Sequence, residues 1–193
     1  MAVAALVGLF LPERGAGFQE VHQELGGGEC GLPVRRSSDD EDDVVAGREL
    51  AEGKHGFKTV VIDTVDNAYR LCVEHCLKKL AVEHESDVPY GKAYALVQSE
   101  FHRVLTRFAM LPYGLFLISH AQEKEVETRT GTATRIVPTL PDKARQTVLG
   151  LVDLILYADV EATAGADGKR TSRRVLRTRP SASYEAGDRS GRL

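Results

Sequence analysis

The apolar residues of this chain fall into two kinds of pattern, and the change from one to the other predicts most of its elements. Thr59-Val60-Val61-Ile62-Asp63-Thr64 is a short β-branched run, continuous instead of alternating, that ends in an acid and a hydroxyl. Such a run suits a strand covered on both faces, with its terminal carboxylate at the carboxyl edge of a sheet, where open α/β sheets bind ligands. Leu115-Phe116-Leu117-Ile118-Ser119-His120 has the same form and again closes on polar groups. Val152 to Asp159 reads as a third strand. Gly165 to Lys169 is a turn into Arg173–Thr178, whose charge marks an edge strand.

Between the first two runs the pattern becomes a stripe. Tyr69, Cys72, Val73, Cys76 and Leu80 predict a helix that Thr64 or Asp66 can cap, with Lys78 and Lys79 complementing its carbonyl end. After a loop from His84 to Gly91, Tyr94, Val97, Phe101, Leu105 and Phe108 recur at offsets of three and four and predict a long helix. Two buried-type strands separated by helices predict a parallel crossover, and so an α/β fold and not a helical bundle. The alternation in Thr130–Val137 predicts a hairpin or an excursion, and Pro141 opens a short helix to Leu149 or beyond. The tail after Pro180 has little to bury.

Residues 1–41 read as a poorly structured or atypical segment, because Gly15, Gly17, the Gly26–Gly28 run, Pro12 and Pro33 interrupt every periodicity. A short helix around Phe18–Leu25 is the exception, and Asp42–Ala51 suits another, broken by Gly53 and Gly56. With 193 residues, 42% of them hydrophobic, the chain can bury one good core. A net charge of −3 gives no overall field for a polyanion, although Asp39–Asp43 form an acidic block and Lys169–Arg179 a basic one. The apolar opening Met1–Pro12 lacks a basic flank and is too short to span a bilayer, and the cysteine count is odd: Cys30, Cys72 and Cys76. These features predict a reducing, cytoplasmic location with no membrane contact. Cys72 and Cys76 lack the second ligand pair of a zinc framework, so a packed thiol pair on a core-facing helix is expected.

The chemistry lies at the strand ends. In P-loop nucleoside triphosphatases a strand-end carboxylate holds magnesium, while polar groups on the neighbouring strand sense the terminal phosphate or align water. Asp63 fits the first role, and Ser119 and His120 the second. Asp63 is otherwise a solvated strand-end acid, and His120 otherwise a residue that closes the sheet edge by hydrogen bonding; both pairs of readings stand open. No Gly-x-x-x-x-Gly-Lys-Ser/Thr occurs in the chain, and Gly26–Gly31 has no Lys-Ser/Thr pair after it. No nucleophile, base and acid come together for a small-molecule α/β enzyme.

The blocks Thr59–Arg70, Pro89–Lys92, Ile118–His120, Thr128–Gly131 with Pro138–Pro141, and Gly150–Asp159 together resemble the phage-type AAA ATPase domain of single-strand annealing and recombination proteins. The similarity runs from residue 42 to Leu193. It implies an α/β fold with a RecA-like, P-loop NTPase-type parallel sheet flanked by helices, incomplete at the N-terminus, with 42–193 as a partial ATPase domain. It also implies ATP and Mg2+ as cofactors, single-stranded DNA and a single-strand binding protein as partners, and a homo-oligomer. By this resemblance Asp63 is the Walker B magnesium acid with Thr64 beside it at the nucleotide, and Ser119 and His120 are the sensor positions. Lys124–Thr139 takes the place of a DNA-facing loop, with Arg129 and Arg135 as phosphate contacts. The family's phosphate loop should fall within Gly15–Ser38, which holds no lysine. The expectation is therefore ATP binding with impaired hydrolysis, or a non-catalytic interaction module that binds DNA or partner subunits. A truncated or misassembled reading frame, a degenerate copy and a genuine pseudo-ATPase all remain open for the N-terminal segment.

Overall fold

The computed structural model describes residues 6–10, 50, 52–53, 56–128, 131–164 and 170–191. The expected helix at Phe18–Leu25, the Gly26–Gly31 segment, Cys30, most of Asp42–Ala51, the Gly165–Lys169 turn and Arg129 lie outside the described residues. The chain divides into two compact units, Met1–Leu11 with Phe57–Leu193, and Pro12–Gly56. In the second, Leu50 and Glu52 are helical and Gly53 turns at φ 66°, its N–H donating to the Leu50 carbonyl at 3.3 Å. A left-handed glycine there is the usual way for a helix to end.

The first unit contains β1 (Leu6–Phe10), β2 (Thr59–Asp63), α1 (Val65–Leu80), α2 (Lys92–Ala109), β3 (Gly114–Ser119), β4 (Ala121–Thr128) and β5 (Gly131–Pro138). It continues with α3 (Asp142–Leu151), β6 (Leu154–Ala164), β7 (Arg170–Arg177) and β8 (Gly187–Asp188). The main sheet has the order β2-β3-β1-β6-β7, with β8 on β6, while β4 and β5 form a separate hairpin. β2 and β3 are parallel, with Thr59 opposite Gly114 and Asp63 opposite Ile118, so α1 and α2 form the expected crossover. The other pairings in the main sheet are antiparallel. β1 lies between β3 and β6, and Leu6 is opposite Ser119 on one side and Tyr157 on the other. β2, β3 and β6 therefore run the same way, and Asp63, Ser119 and Tyr157 lie toward one end of the sheet.

Helix boundaries follow local chemistry. The Thr64 side chain accepts from the Asn67 N–H at 3.4 Å and caps α1; Ala81 ends it in the left-handed region at φ 52°, its N–H meeting the Lys78 carbonyl at 3.1 Å. On α2 the buried residues are Ala93, Val97, Phe101, Leu105 and Ala109, one every four positions. Phe101, Leu105 and Ala109 pack with Val65 of α1, Ala144 and Val148 of α3, and Leu115 and Leu117 of β3 into the main core, and Val60 and Ile62 of β2 join them. Tyr69 meets Phe101 edge to face at 5.0 Å. Each fully buried aliphatic side chain in such a core contributes about 1.5–3 kcal/mol.

Two expectations need correction. β2 is an edge strand, and its residues alternate between exposed and half-buried, Val61 being 53% exposed. The strand is covered on the face that meets the helices and not on both, because the residues opposite Val60 and Ile62 belong to the core while Val61 faces away from it. The tail after Pro180 also has more to bury than its composition suggests. Tyr184 stacks on Tyr157 at 5.0 Å, Ala186 is buried, and Ile136 bridges to Tyr184, so the tail fastens the hairpin to β6.

Candidate functional site

Asp63 is the last residue of β2 and is exposed; among the described residues it has no hydrogen-bond or ion-pair partner. The Asp63–Thr64 peptide is cis, and α1 begins immediately afterwards. The helix start places unpaired N–H groups and the positive end of the helix dipole beside the strand tip, a setting that favours anions. Thr64 is buried and its hydroxyl oxygen already accepts the Asn67 N–H.

On the adjacent strand, Ser119 is 1% exposed and its hydroxyl donates to the His120 carbonyl at 3.0 Å, which directs it inward. His120 is the presented member of the pair. Its ring Nδ1 lies 2.8 Å from Asp66 Oδ2, and its backbone N–H donates to Asp66 Oδ1 at 3.2 Å. The His120 side chain is 53% exposed and that of Asp66 13%. Burial works against the charge of Asp66, but bonds from the His120 ring, the Asp66 and His120 backbone and Thr64 outweigh it and hold the carboxyl below its ordinary range. The His120 carbonyl in turn accepts the Thr139 N–H at 2.8 Å, at the base of the hairpin.

Asp66 is the residue that the sequence treated only as a possible cap. Thr64 takes the cap, and Asp66, one position into the first turn, is free to reach across to β3. A signal was present: a second acid three positions after Asp63, on a helix that starts at the strand end, is placed to face the neighbouring strand's exit.

The proposed DNA-facing segment is the β4–β5 hairpin, in register from Ala121–Pro138 to Thr128–Gly131. Glu123, Glu125 and Glu127 occupy exposed positions along β4, which present negative charge. Lys124 pairs with Asp142 of α3 at 2.5 Å. Arg135 is half-buried, and its Nη2 donates to the carbonyls of Ser181 at 3.4 Å and Tyr184 at 3.2 Å, so its guanidinium holds the tail. Arg129 lies outside the described residues. The basic edge strand β7 is partly neutralised: Arg173 meets Glu161 at 2.9 Å, and Arg177 meets Asp159 at 2.9 Å and Glu161 at 3.0 Å.

Away from the strand tips, a groove of about 520 Å³ opens between α2 and α3, where Gln98 donates to the Lys143 carbonyl at 3.1 Å and to Thr147 at 3.0 Å. Cys76 is buried and Cys72 half-buried, the Cys72 thiol lying 3.8 Å from the Val97 carbonyl. Burial, with the neighbouring Cys76 added to it, pushes the Cys72 thiol up to about 12, and burial raises Cys76 as well, so both are packed thiols and not thiolates. Among the described residues no group of three or more His, Cys, Asp or Glu is arranged to hold a metal, and no helix is long and apolar enough to cross a membrane.

The strand tips do fit one part of a nucleotide site. Magnesium bound with a nucleotide keeps several waters and takes one or two carboxylates plus phosphate oxygens, so a single exposed, unpartnered carboxylate such as Asp63 is a sufficient protein ligand. No curated protein and no solved structure matches the chain. The AAA domain family matches residues 18–190, a span that begins inside the segment set apart on sequence and ends three residues before the last. With that match over most of its length, and with parallel strands that carry an acid and a polar pair to one sheet end, the chain belongs to the AAA domain family and is an ATP-binding α/β domain of the P-loop, RecA-like type.

Proposed function

We propose that this domain binds Mg2+-ATP at the carboxyl ends of β2 and β3 and serves phage-type recombination or single-strand annealing, with hydrolysis impaired. The observation that carries the reading is the parallel register of β2 and β3, with Asp63 opposite Ile118, which puts Asp63, Ser119 and His120 at one end of the sheet. Asp63 would hold the magnesium ion, which supplies charge neutralisation at the phosphates. Thr64 lines the same end, and its capping bond keeps α1 aimed there. His120 is the polar group offered to the terminal phosphate or to water, while Ser119 supports it through its carbonyl. Impaired hydrolysis follows from a sequence without Gly-x-x-x-x-Gly-Lys-Ser/Thr, because the lysine and hydroxyl of that loop otherwise share the triphosphate charge.

Single-stranded DNA, a single-strand binding protein and further copies of the chain are the partners in this reading, which places it in the cytoplasm. Arg129, which follows β4 in the sequence, is the phosphate contact it retains. Arg135 contributes by fixing the hairpin to the tail and not by direct contact. Filter binding of labelled ATP and of short single-stranded DNA tests both halves. Saturable ATP binding that needs magnesium and is lost in Asp63→Ala, with DNA binding that weakens steeply as salt rises, is the expected result. Association with neither ligand would leave only the fold.

A second reading has one observation in its favour. Val61 at 53%, Val160 at 58% and Leu176 at 61% are exposed along the strands, an apolar surface suited to a partner protein. A non-catalytic interaction module predicts that Asp63→Ala leaves every binding activity unchanged.

A further inference from the structure

The hydrogen bonds at residue 120 fix more than its position. A neutral imidazole has one donor nitrogen and one acceptor nitrogen, and which is which depends on the partner of each. Asp66 at neutral pH is a carboxylate and can only accept. Its Oδ2 lies 2.8 Å from Nδ1, and its Oδ1 accepts the His120 backbone N–H at 3.2 Å, so the carboxylate is held in a two-point grip on one residue. Nδ1 must therefore carry the proton. Nε2 is left with its lone pair and has no hydrogen-bond partner among the described residues, on a side chain that is 53% exposed.

We propose that Asp66 is a positioning residue that locks His120 as the Nδ1–H tautomer, so that Nε2 offers a lone pair at the strand tips. Two further contacts support the lock. The His120 carbonyl accepts from the Thr139 N–H at 2.8 Å and from the Ser119 hydroxyl at 3.0 Å, so the backbone is held at the carbonyl as well as at the N–H that Asp66 accepts. Asp66 lies in the first turn of α1, whose cap at Thr64 adjoins Asp63. The ring and the proposed magnesium acid are thus oriented by one helix start.

The tautomer determines what His120 can meet. A lone pair repels a phosphate oxygen and attracts an O–H or N–H donor. In its neutral form His120 therefore accepts a hydrogen bond from a water molecule or a hydroxyl, and it takes a phosphate oxygen only after Nε2 gains a proton. This inference deepens the nucleotide reading and rests on it for the identity of the site, but the lock itself does not depend on any nucleotide. Asp–His pairs in which the carboxylate fixes the ring nitrogen are a general means of setting imidazole orientation and basicity.

The test is 15N NMR of protein labelled in its histidine rings, recorded well above the imidazole titration range, with His120→Gln used to assign the signals. In the wild type, the expected His120 spectrum has a protonated Nδ1 and a bare Nε2. Asp66→Ala should reverse this to the Nε2–H form preferred by free imidazole. Asp66→Asn, which keeps the shape and can accept or donate, should give a mixture, with circular dichroism confirming that both variants fold. A wild-type His120 that is mainly Nε2–H, or an unchanged ratio in folded Asp66→Asn, would overturn the proposal. Adding Mg2+-ATP separates this inference from the one beneath it. If filter binding shows no ATP affinity, the nucleotide reading fails while the apo spectra still decide the lock. If ATP binds, the Nε2 signal should shift in the wild type, and a signal that does not move would remove His120 from the site.

Discussion

The two halves of the main sheet treat charge in opposite ways. In the β2–β3 half the strands are parallel, and the chain leaves both at the same end, so Asp63 and the Asp66–His120 pair gather there with Asp63 unpartnered among the described residues. In the β6–β7 half the strands are antiparallel, and the charges lie along the ladder. There Asp159 and Glu161 meet Arg173 and Arg177 across the pair, at 2.9 to 3.0 Å. One half leaves a carboxylate exposed and without a partner among the described residues, and the other uses its carboxylates internally. Strand direction produces this contrast, because parallel strands collect their ends at one edge while antiparallel neighbours face each other residue by residue.

The comparison can be broken at four points. The largest effect should come from the shared support of the tips. Leu117, 1% exposed between β3 and the helices, when replaced by Ala should lower unfolding stability by about 2–5 kcal/mol in urea titration. A loss much smaller than this would mean that β3 is not anchored to the core. Next, Asp63→Ala should weaken Mg2+-dependent ATP binding by about tenfold or more, roughly 1.4 kcal/mol, whereas Glu161→Ala should leave it unchanged. Equal effects from the two acids would erase the distinction between the halves.

The third effect depends on pH. The carboxyl of Asp66 is lowered in the folded protein, so the native state binds its proton less readily than the unfolded chain does. Its stabilising contribution is fully present above the ordinary aspartate range, about pH 4, and is lost as the pH falls through the folded value. Urea midpoints followed into acid should fall less steeply for Asp66→Asn than for the wild type. The smallest effect is expected from the ladder: Arg173, on a 76% exposed side chain, should leave the thermal midpoint essentially unmoved when changed to Ala. A clear drop would show that β7 relies on its charges to stay on the sheet.

Much of the first unit was legible in the sequence. The run from Thr59 to Asp63 became β2 with Asp63 as its last residue, the stripe through Tyr69 and Cys72 became α1, and the alternation in Thr130–Val137 became part of the hairpin. The parallel crossover between β2 and β3 was legible as well. β1 was not. Leu6–Phe10 is a short apolar run beside glycines and prolines, without a period, and it becomes a strand by pairing with Ser119–Leu115 and Tyr157–Leu154. The half-open face of β2 was equally hidden, since a continuous β-branched run looks the same at a sheet's edge as at its centre.

The sequence by itself determined which segments are helices and strands in the β2–β3 half and which acid ends the first of these strands, because periodicity, caps and β-branching act within a few residues. It also determined that no phosphate-loop lysine motif is present. Only the tertiary structure decided that Asp66, and not Thr64, reaches His120, that Ser119 turns inward, and that Arg135 is occupied by the tail. The Asp66–His120 and Arg135–tail contacts join groups 46 to 54 positions apart in the chain, and no local pattern records which of them will meet.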